Sequence, residues 1–240
     1  MPQPVKLKAM VAEVVEHQPG LRTLVLKPER PAPRFAAGQF LHLAIDSYDP
    51  ASHWPDSRIF SIASSPDTRS AIHVTFSAVG QFTRRMLSLN VGDSVWLKLP
   101  YGEFTVETSD AAPAVLVGGG TGVTPFVPLL SGTTPPQGPV WVLYGGRSPE
   151  HLIYRDTIER ATKTWPHVRA TYFAEQGQAP NTVTGQLSVY ELLHAAQALN
   201  AANRAVFYLS GPPGMLQHFS KELQAHGVVL PRIHIDAWGD

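Results

Sequence analysis

Apolar residues recur with two different periods along this chain, and the period changes near residue 110. In the first hundred residues they form short β-rich runs at 6–15, 21–27, 39–45, 58–63, 71–78 and 94–99, separated by turn residues such as His17-Gln18-Pro19-Gly20. Phe40, Leu41, Leu43 and Ile45 alternate in part, as a half-buried strand requires. Only 82–89 has helical spacing, with Phe82, Met86 and Leu89 on one face. Six short strands and one helix predict a small six-stranded antiparallel β-barrel.

Beyond Ser109 the pattern alternates. Strand-like runs at 114–117, 140–144, 168–173, 205–210 and 232–235 are separated by stretches with helical periodicity. Tyr154, Ile158 and Ala161 share a face; so do Val189, Leu192, Leu193 and Ala196; so do Met215, Phe219 and Leu223. Strand alternating with helix predicts an α/β domain with a parallel five-stranded sheet. The expected domains are therefore 1–109, a β-barrel, and 110–240, an α/β unit.

Composition narrows the function classes. At 240 residues the chain accommodates two modest domains, and 43% hydrophobic with 16% charged residues describes a globular protein. Formal net charge is zero and no basic run occurs, which argues against nucleic acid or anionic lipid as the main partner. The absence of cysteine removes disulfides, thiolate zinc sites and Cys-ligated iron–sulfur clusters. The ten histidines show no metal-ligand spacing, so no metal is expected. Neither a signal peptide nor a membrane span is visible, and the expected location is the cytoplasm.

Two segments carry candidate chemistry. Gly118-Gly119-Gly120-Thr121-Gly122 follows a strand-like run directly, and Pro125 suits the start of a helix. Such a turn lets backbone amides approach a pyrophosphate, but its spacing is not the commonest dinucleotide pattern. By itself it reads equally well as a tight structural turn. Arg58 precedes Ile59-Phe60-Ser61 in a strand-rich region. A phosphate partner and a plain surface arginine are both consistent with that position.

Taken in order, Arg58-Ile59-Phe60-Ser61, Gly80-Gln81-Phe82-Thr83, Gly119-Gly120-Thr121-Gly122, Tyr144-Gly145-Gly146-Arg147 and Gly211-Pro212-Pro213-Gly214-Met215 resemble the ferredoxin–NADP reductase superfamily. The resemblance runs from about residue 5 to the C-terminus. It implies flavin, FAD rather than FMN, on the barrel with its reactive ring at the domain cleft. Arg58 would pair with the flavin pyrophosphate, helped by Gly80, Gln81, Phe82 and Thr83. Phe60 would pack on the ring or ribityl chain, Ser61 would lie near the hydride-accepting atom, and His73 and Val74 would offer backbone groups to the ring edge. In the second domain Gly119, Gly120, Thr121, Gly122 and Thr124 would bind the phosphates of NADH or NADPH. Gly211, Pro212 and Met215 would border its two ends.

The implied activity is NAD(P)H-dependent reduction of FAD, followed by electron delivery to a separate acceptor: a carrier protein, an oxygenase component or a small diffusible molecule. Three departures bear on it. Phe60 stands where tyrosine is commoner, Ser210 where the family has cysteine, and Ala37 where it has proline. Ser210 and Asp236 join Ser61 and Trp238 as the implied catalytic positions, with Trp238 an indole over the flavin face or a cap on the domain. Ala174-Glu175 occupies the place where a Ser-Arg pair would hold a 2′-phosphate, which favours NADH unless Arg147 or Arg155 turns toward the ribose. Two rivals stay open: a flavin-binding electron-transfer or sensor subunit with weak turnover, and a dehydrogenase whose barrel merely recognises substrate.

Overall fold

The computed structural model describes residues 3–109 and 111–236. It divides into two compact units, Met1–Thr105 and Val106–Asp240, a division four residues upstream of the boundary read from composition.

The first unit holds β1 (Val5–Gln18), β2 (Leu21–Pro28), β3 (Phe40–Ala44), β4 (Ser57–Ser61), β5 (Ile72–Ser77), α1 (Gln81–Met86) and β6 (Ser94–Tyr101). The strands form one antiparallel sheet in the order β4-β3-β6-β1-β2-β5. Just beyond the end strands, Ala63 N–H donates to the His73 carbonyl at 3.0 Å, so the sheet curls into a nearly closed barrel. Alternate residues of β1 (Leu7, Ala9, Val11) and β6 (Val95, Leu97, Leu99) point inward and are fully or almost fully buried. Phe82 and Met86 of α1 join that core, one turn apart, and plug the barrel. The helix is shorter at its C-terminal end than 82–89, because Leu87, Ser88 and Leu89 continue it only as tight turns.

The segment between β3 and β4 is folded back rather than free. Tyr48 meets the ring edges of Trp54 and Trp96 at 5.2 and 5.1 Å, and Lys6 Nζ lies 4.7 Å from the Tyr48 ring centroid. Trp54 Nε1 donates to Ser57 Oγ at 3.0 Å.

The second unit holds β7 (Ala114–Gly119), α2 (Val127–Ser131), β8 (Val140–Gly146), α3 (Arg155–Thr164), β9 (Val168–Ala174), β10 (Thr182–Thr184), α4 (Val189–Ala198), β11 (Val206–Ser210), α5 (Pro213–Ala225) and β12 (Ile233–Ile235). The strands make a parallel sheet in the order β10-β9-β8-β7-β11-β12. Six strands replace the expected five. The addition, β10, is three residues with two exposed side chains, too short and polar to carry a periodic signal. Ala114 to Val117 are completely buried, as a central strand covered on both faces requires. One face of the sheet is covered by Leu192, Ala195 and Ala196 of α4 with Leu216, Phe219 and Leu223 of α5. Residues 120–126 form a run of 3₁₀ turns with Pro125 inside it, so Pro125 does not start the helix; α2 begins at Val127.

Among the described residues, no helix is long and apolar enough to cross a membrane.

Candidate functional site

Parallel strands deliver their loops to one edge, and strand order decides where a ligand can enter. From β7 the chain moves to β8 on one side, while β11 lies on the other. Loops leaving β7 and β11 therefore diverge at a topological switch point, the usual place for ligands in open α/β sheets. Gly118 to Gly122 leave β7 there. Ser210 to Met215 leave β11 beside them, with Ser210 paired to Gly118.

The two loops are in main-chain contact. A side chain beginning at Gly122 would meet Gly211 Cα, Gly211 N and Ser210 O, each at 2.5 Å. At Gly119 it would meet Met215 Sδ at 2.8 Å and Pro212 Cδ at 3.0 Å. Only glycine lets these backbones approach so closely. The sequence segments read as phosphate-binding and nucleotide-bordering thus meet, with Thr121 half-buried between them. Thr124 does not present its hydroxyl to a ligand: it is buried and donates to the Thr121 carbonyl at 2.8 Å, fixing the turn from within.

Arg147 and Glu175 lie at the same edge, beyond β8 and β9, and both are exposed. Glu175 N–H donates to the Gly146 carbonyl at 3.1 Å, and Gln176 N–H to that of Arg147 at 2.9 Å, which zips the two strand ends together. Arg155 is committed elsewhere. Its guanidinium lies 4.7 Å from the Tyr172 ring centroid, pairs with Glu159 at 2.7 Å, and donates to Thr182 Oγ1 and the Pro180 carbonyl at 2.9 and 2.6 Å.

Ser210 and Asp236 form a buried pair. The Ser210 hydroxyl donates to Asp236 Oδ2 at 2.9 Å, and the two residues are 2% and 6% exposed. Burial pushes the Asp236 carboxyl up to about 6, while the Ser210 hydrogen bond opposes the shift. Trp238 lies outside the described residues.

In the barrel unit, Arg58 stands 5.2 Å from the Phe82 ring centroid, so the strand bearing it and the start of α1 come together as the motif order implies. Its guanidinium is half exposed and pairs with Asp56 at 2.6 Å. Sequence reading missed Asp56. The signal was present, since residues two apart on an extended segment project to one side. The Thr83 hydroxyl is occupied by the helix start: it accepts from Gly80 N–H at 3.0 Å and donates to the Gly80 carbonyl at 3.1 Å. Gln81 is exposed, and the first-turn amides of Gln81, Phe82 and Thr83 have no intrahelical acceptor.

Phe60 packs edge-on to Phe76 at 6.4 Å with part of its ring accessible, whereas Ile59 faces outward at 38% exposure. Ser61 is buried beside them, in register with Phe40. The His73 carbonyl is already engaged by Ala63 N–H, and Val74 is wholly buried in register with Leu24. Burial also pushes the His73 imidazole below its ordinary value. Trp54 is held against Tyr48.

The residues fit the two cofactors unequally well. A Cβ at Gly120 would meet nothing within 4 Å, which leaves room for a phosphate there, and Arg58 has a half-exposed guanidinium paired with Asp56. The groups expected around the flavin ring are more heavily committed to the barrel itself.

The Oxidoreductase NAD-binding domain family matches residues 116–221. The chain is 28% identical over 233 residues to a flavohemoprotein of Rhizobium meliloti, covering 91% of this chain and 57% of that protein. It is 32% identical over 231 residues to a probable dihydroorotate dehydrogenase B (NAD(+)) electron transfer subunit of Methanopyrus kandleri, covering 93% and 78%. A crystal structure of a ferredoxin NADP+ reductase from Neisseria gonorrhoeae, with bound FAD and NADP, superposes with a TM-score of 0.77 at 20% identity. That match covers 98% of each chain and shows the shared fold. On this fold, glycine loop and relationship, the chain belongs to the ferredoxin–NADP reductase superfamily of FAD- and NAD(P)-binding oxidoreductases.

Proposed function

We propose that this chain is a flavin-dependent NAD(P)H reductase that hands electrons to a separate acceptor. The observation that carries the reading is the close approach of the 119–122 and 210–215 loops at the switch point, which only glycine permits. FAD, when bound, would supply the redox chemistry between reduced nicotinamide and acceptor. The protein's own work is binding and orientation. Backbone amides of Gly119, Gly120, Thr121 and Gly122 would hold the dinucleotide phosphates, and Arg58 would exchange Asp56 for a flavin phosphate. Gly211, Pro212 and Met215 would wall the dinucleotide.

NADH is the preferred donor in this reading. Glu175 is an exposed carboxylate that would repel a 2′-phosphate at this edge, and Arg155 is tied to Tyr172, Glu159 and the 180–182 segment, which leaves Arg147 as the one opposing cation of the two weighed. The acceptor is a carrier protein, an oxygenase component or a small oxidant, and the cysteine-free chain is assigned to the cytoplasm.

The test is an anaerobic titration of FAD-reconstituted protein with NADH and then NADPH, followed by visible absorbance. Bleaching of the flavin band by NADH at lower concentration than NADPH is the expected result. Failure to retain flavin after reconstitution overturns it. The burial of Ser210 favours one second reading, a flavin-binding electron-transfer subunit with weak turnover. Normal dinucleotide binding with slow bleaching would select that alternative.

A further inference from the structure

A buried carboxyl lies one hydrogen bond away from the backbone that walls the glycine loop. Asp236 follows β12, the last strand of the sheet, and its N–H donates to the Leu209 carbonyl at 2.9 Å. Its Oδ2 accepts from Ser210, whose own carbonyl and following residue, Gly211, form the wall against Gly122. Both residues are buried. A carboxylate here has little hydration and, among the described residues, a single hydroxyl donor to stabilise its charge.

The described groups around it do not supply a counter-charge. Tyr208 and His234 lie on the same sheet face, one pair earlier in register, with their rings stacked at 4.9 Å. Tyr208 exchanges hydrogen bonds with the main chain of Glu107 at 3.1 and 3.2 Å. From β7 this face receives Leu116 and Gly118, and α5 contributes Met215 beside the loop. Asp236 owes its raised value to burial, opposed by Ser210; no charged side chain among the described residues enters. An anion arriving at the neighbouring loop therefore meets an unshielded negative charge.

We propose that the Ser210–Asp236 pair makes dinucleotide binding proton-linked: as the anionic phosphates settle on the glycine loop, the Asp236 carboxylate takes one proton from solvent. The proposal rests on the loop being the dinucleotide site. No other bond changes, because the proton passes from buffer to a carboxylate oxygen and Ser210 keeps its contact with the pair. In the free protein at pH 7 a carboxyl near 6 is about nine-tenths ionised. Protonation driven by the bound anion can therefore take up at most about 0.9 proton at that pH.

The experiment is titration calorimetry of the FAD-loaded full chain with NAD+, which binds without turnover, at pH 7 in three buffers of different ionisation enthalpy. The slope of observed heat against buffer enthalpy counts protons. Uptake of up to about 0.9 proton is expected, falling toward zero at pH 5, where Asp236 is already largely neutral. Asp236→Asn removes the slope; His234→Gln leaves it. Wild-type binding without a slope overturns the proposal, as does a slope that survives in Asp236→Asn or persists undiminished at pH 5. Should Asp236→Asn fail to fold, the wild-type pH series alone decides. Absence of binding heat in every buffer sinks the dinucleotide site itself, and the proposal with it.

Discussion

Replacing Gly122 by alanine tests the central packing feature of the second unit directly. The new Cβ would lie 2.5 Å from three main-chain atoms, Gly211 Cα, Gly211 N and Ser210 O. Comfortable carbon contacts are about 3.5–4.0 Å, so one backbone must retreat by about 1 Å. Ser210 has little freedom to do so, because β11 is hydrogen-bonded to β7 on one side and β12 on the other. Overpacking typically costs about 1–3 kcal/mol, and immovable main chain places this site near the upper end. If the loop yields instead of the strand, about 3 kcal/mol appears as a loss of more than a hundredfold in dinucleotide affinity. The assay is denaturant unfolding of the second unit paired with calorimetric binding of NADH. Two other glycines calibrate it. Gly120 sits at φ +57° with nothing within 4 Å, so Gly120→Ala should cost only the left-handed penalty, about 1–2 kcal/mol. Gly214 lies in the first turn of α5 with open space around it, and Gly214→Ala should be neutral or stabilising by up to about 1 kcal/mol. Wild-type stability together with wild-type affinity in Gly122→Ala would refute the close approach of the two loops.

Other consequences can be checked separately. Arg58→Ala removes an exposed ion pair with Asp56 and an exposed contact with the Phe82 ring, so stability should fall by about 1 kcal/mol, while FAD affinity drops roughly 10- to 100-fold; equilibrium dialysis of the flavin distinguishes the two. Glu175→Ser should raise the NADPH-to-NADH affinity ratio by about tenfold, and an unchanged ratio would place the ribose elsewhere. Asp236 has a folded value raised from 3.8 to about 6, so its stabilising contribution is complete below pH 4 and lost as pH rises through 6. Asp236→Asn should therefore gain stability relative to wild type between pH 4 and pH 7.5, by up to about 3 kcal/mol before any loss of the Ser210 bond. Denaturant midpoints at the two pH values measure that difference. Ser188 caps α4 in a reciprocal box with Glu191, and Ser188→Ala should lower the unfolding free energy of the second unit by about 1 kcal/mol.

Elements whose burial is periodic were readable from sequence, and contacts between distant residues were not. Ala114 to Val117 is apolar throughout because β7 is covered on both faces, and β1 alternates because only one of its faces meets the barrel core. Helix α5 showed itself through Met215, Phe219 and Leu223. By contrast β10 takes its identity from pairing with β9, and Thr182-Val183-Thr184 alone carries no such information. The glycine segments were visible as composition. That Gly122 is required by a neighbouring backbone, and Gly120 by its own dihedral angle, emerges only when residues some ninety positions apart are brought together. The same holds for the Ser210–Asp236 bond and for the sequestering of Arg155, since neither Pro180 nor Thr182 announces itself as an arginine acceptor.

The corner formed by Lys6, Tyr48, Trp54 and Trp96 gives the barrel unit an optical gauge of its own. Two indoles edge against a single phenol, and one of them is carried by the connecting segment while the other belongs to the barrel wall. Peeling that segment away would expose Trp54 to water and take Tyr48 from Trp96 as well, shifting the emission of both indoles to the red against the other three tryptophans. Unlabelled protein can thus report, in real time, whether the 46–56 stretch stays pinned when flavin, dinucleotide or an electron acceptor is added.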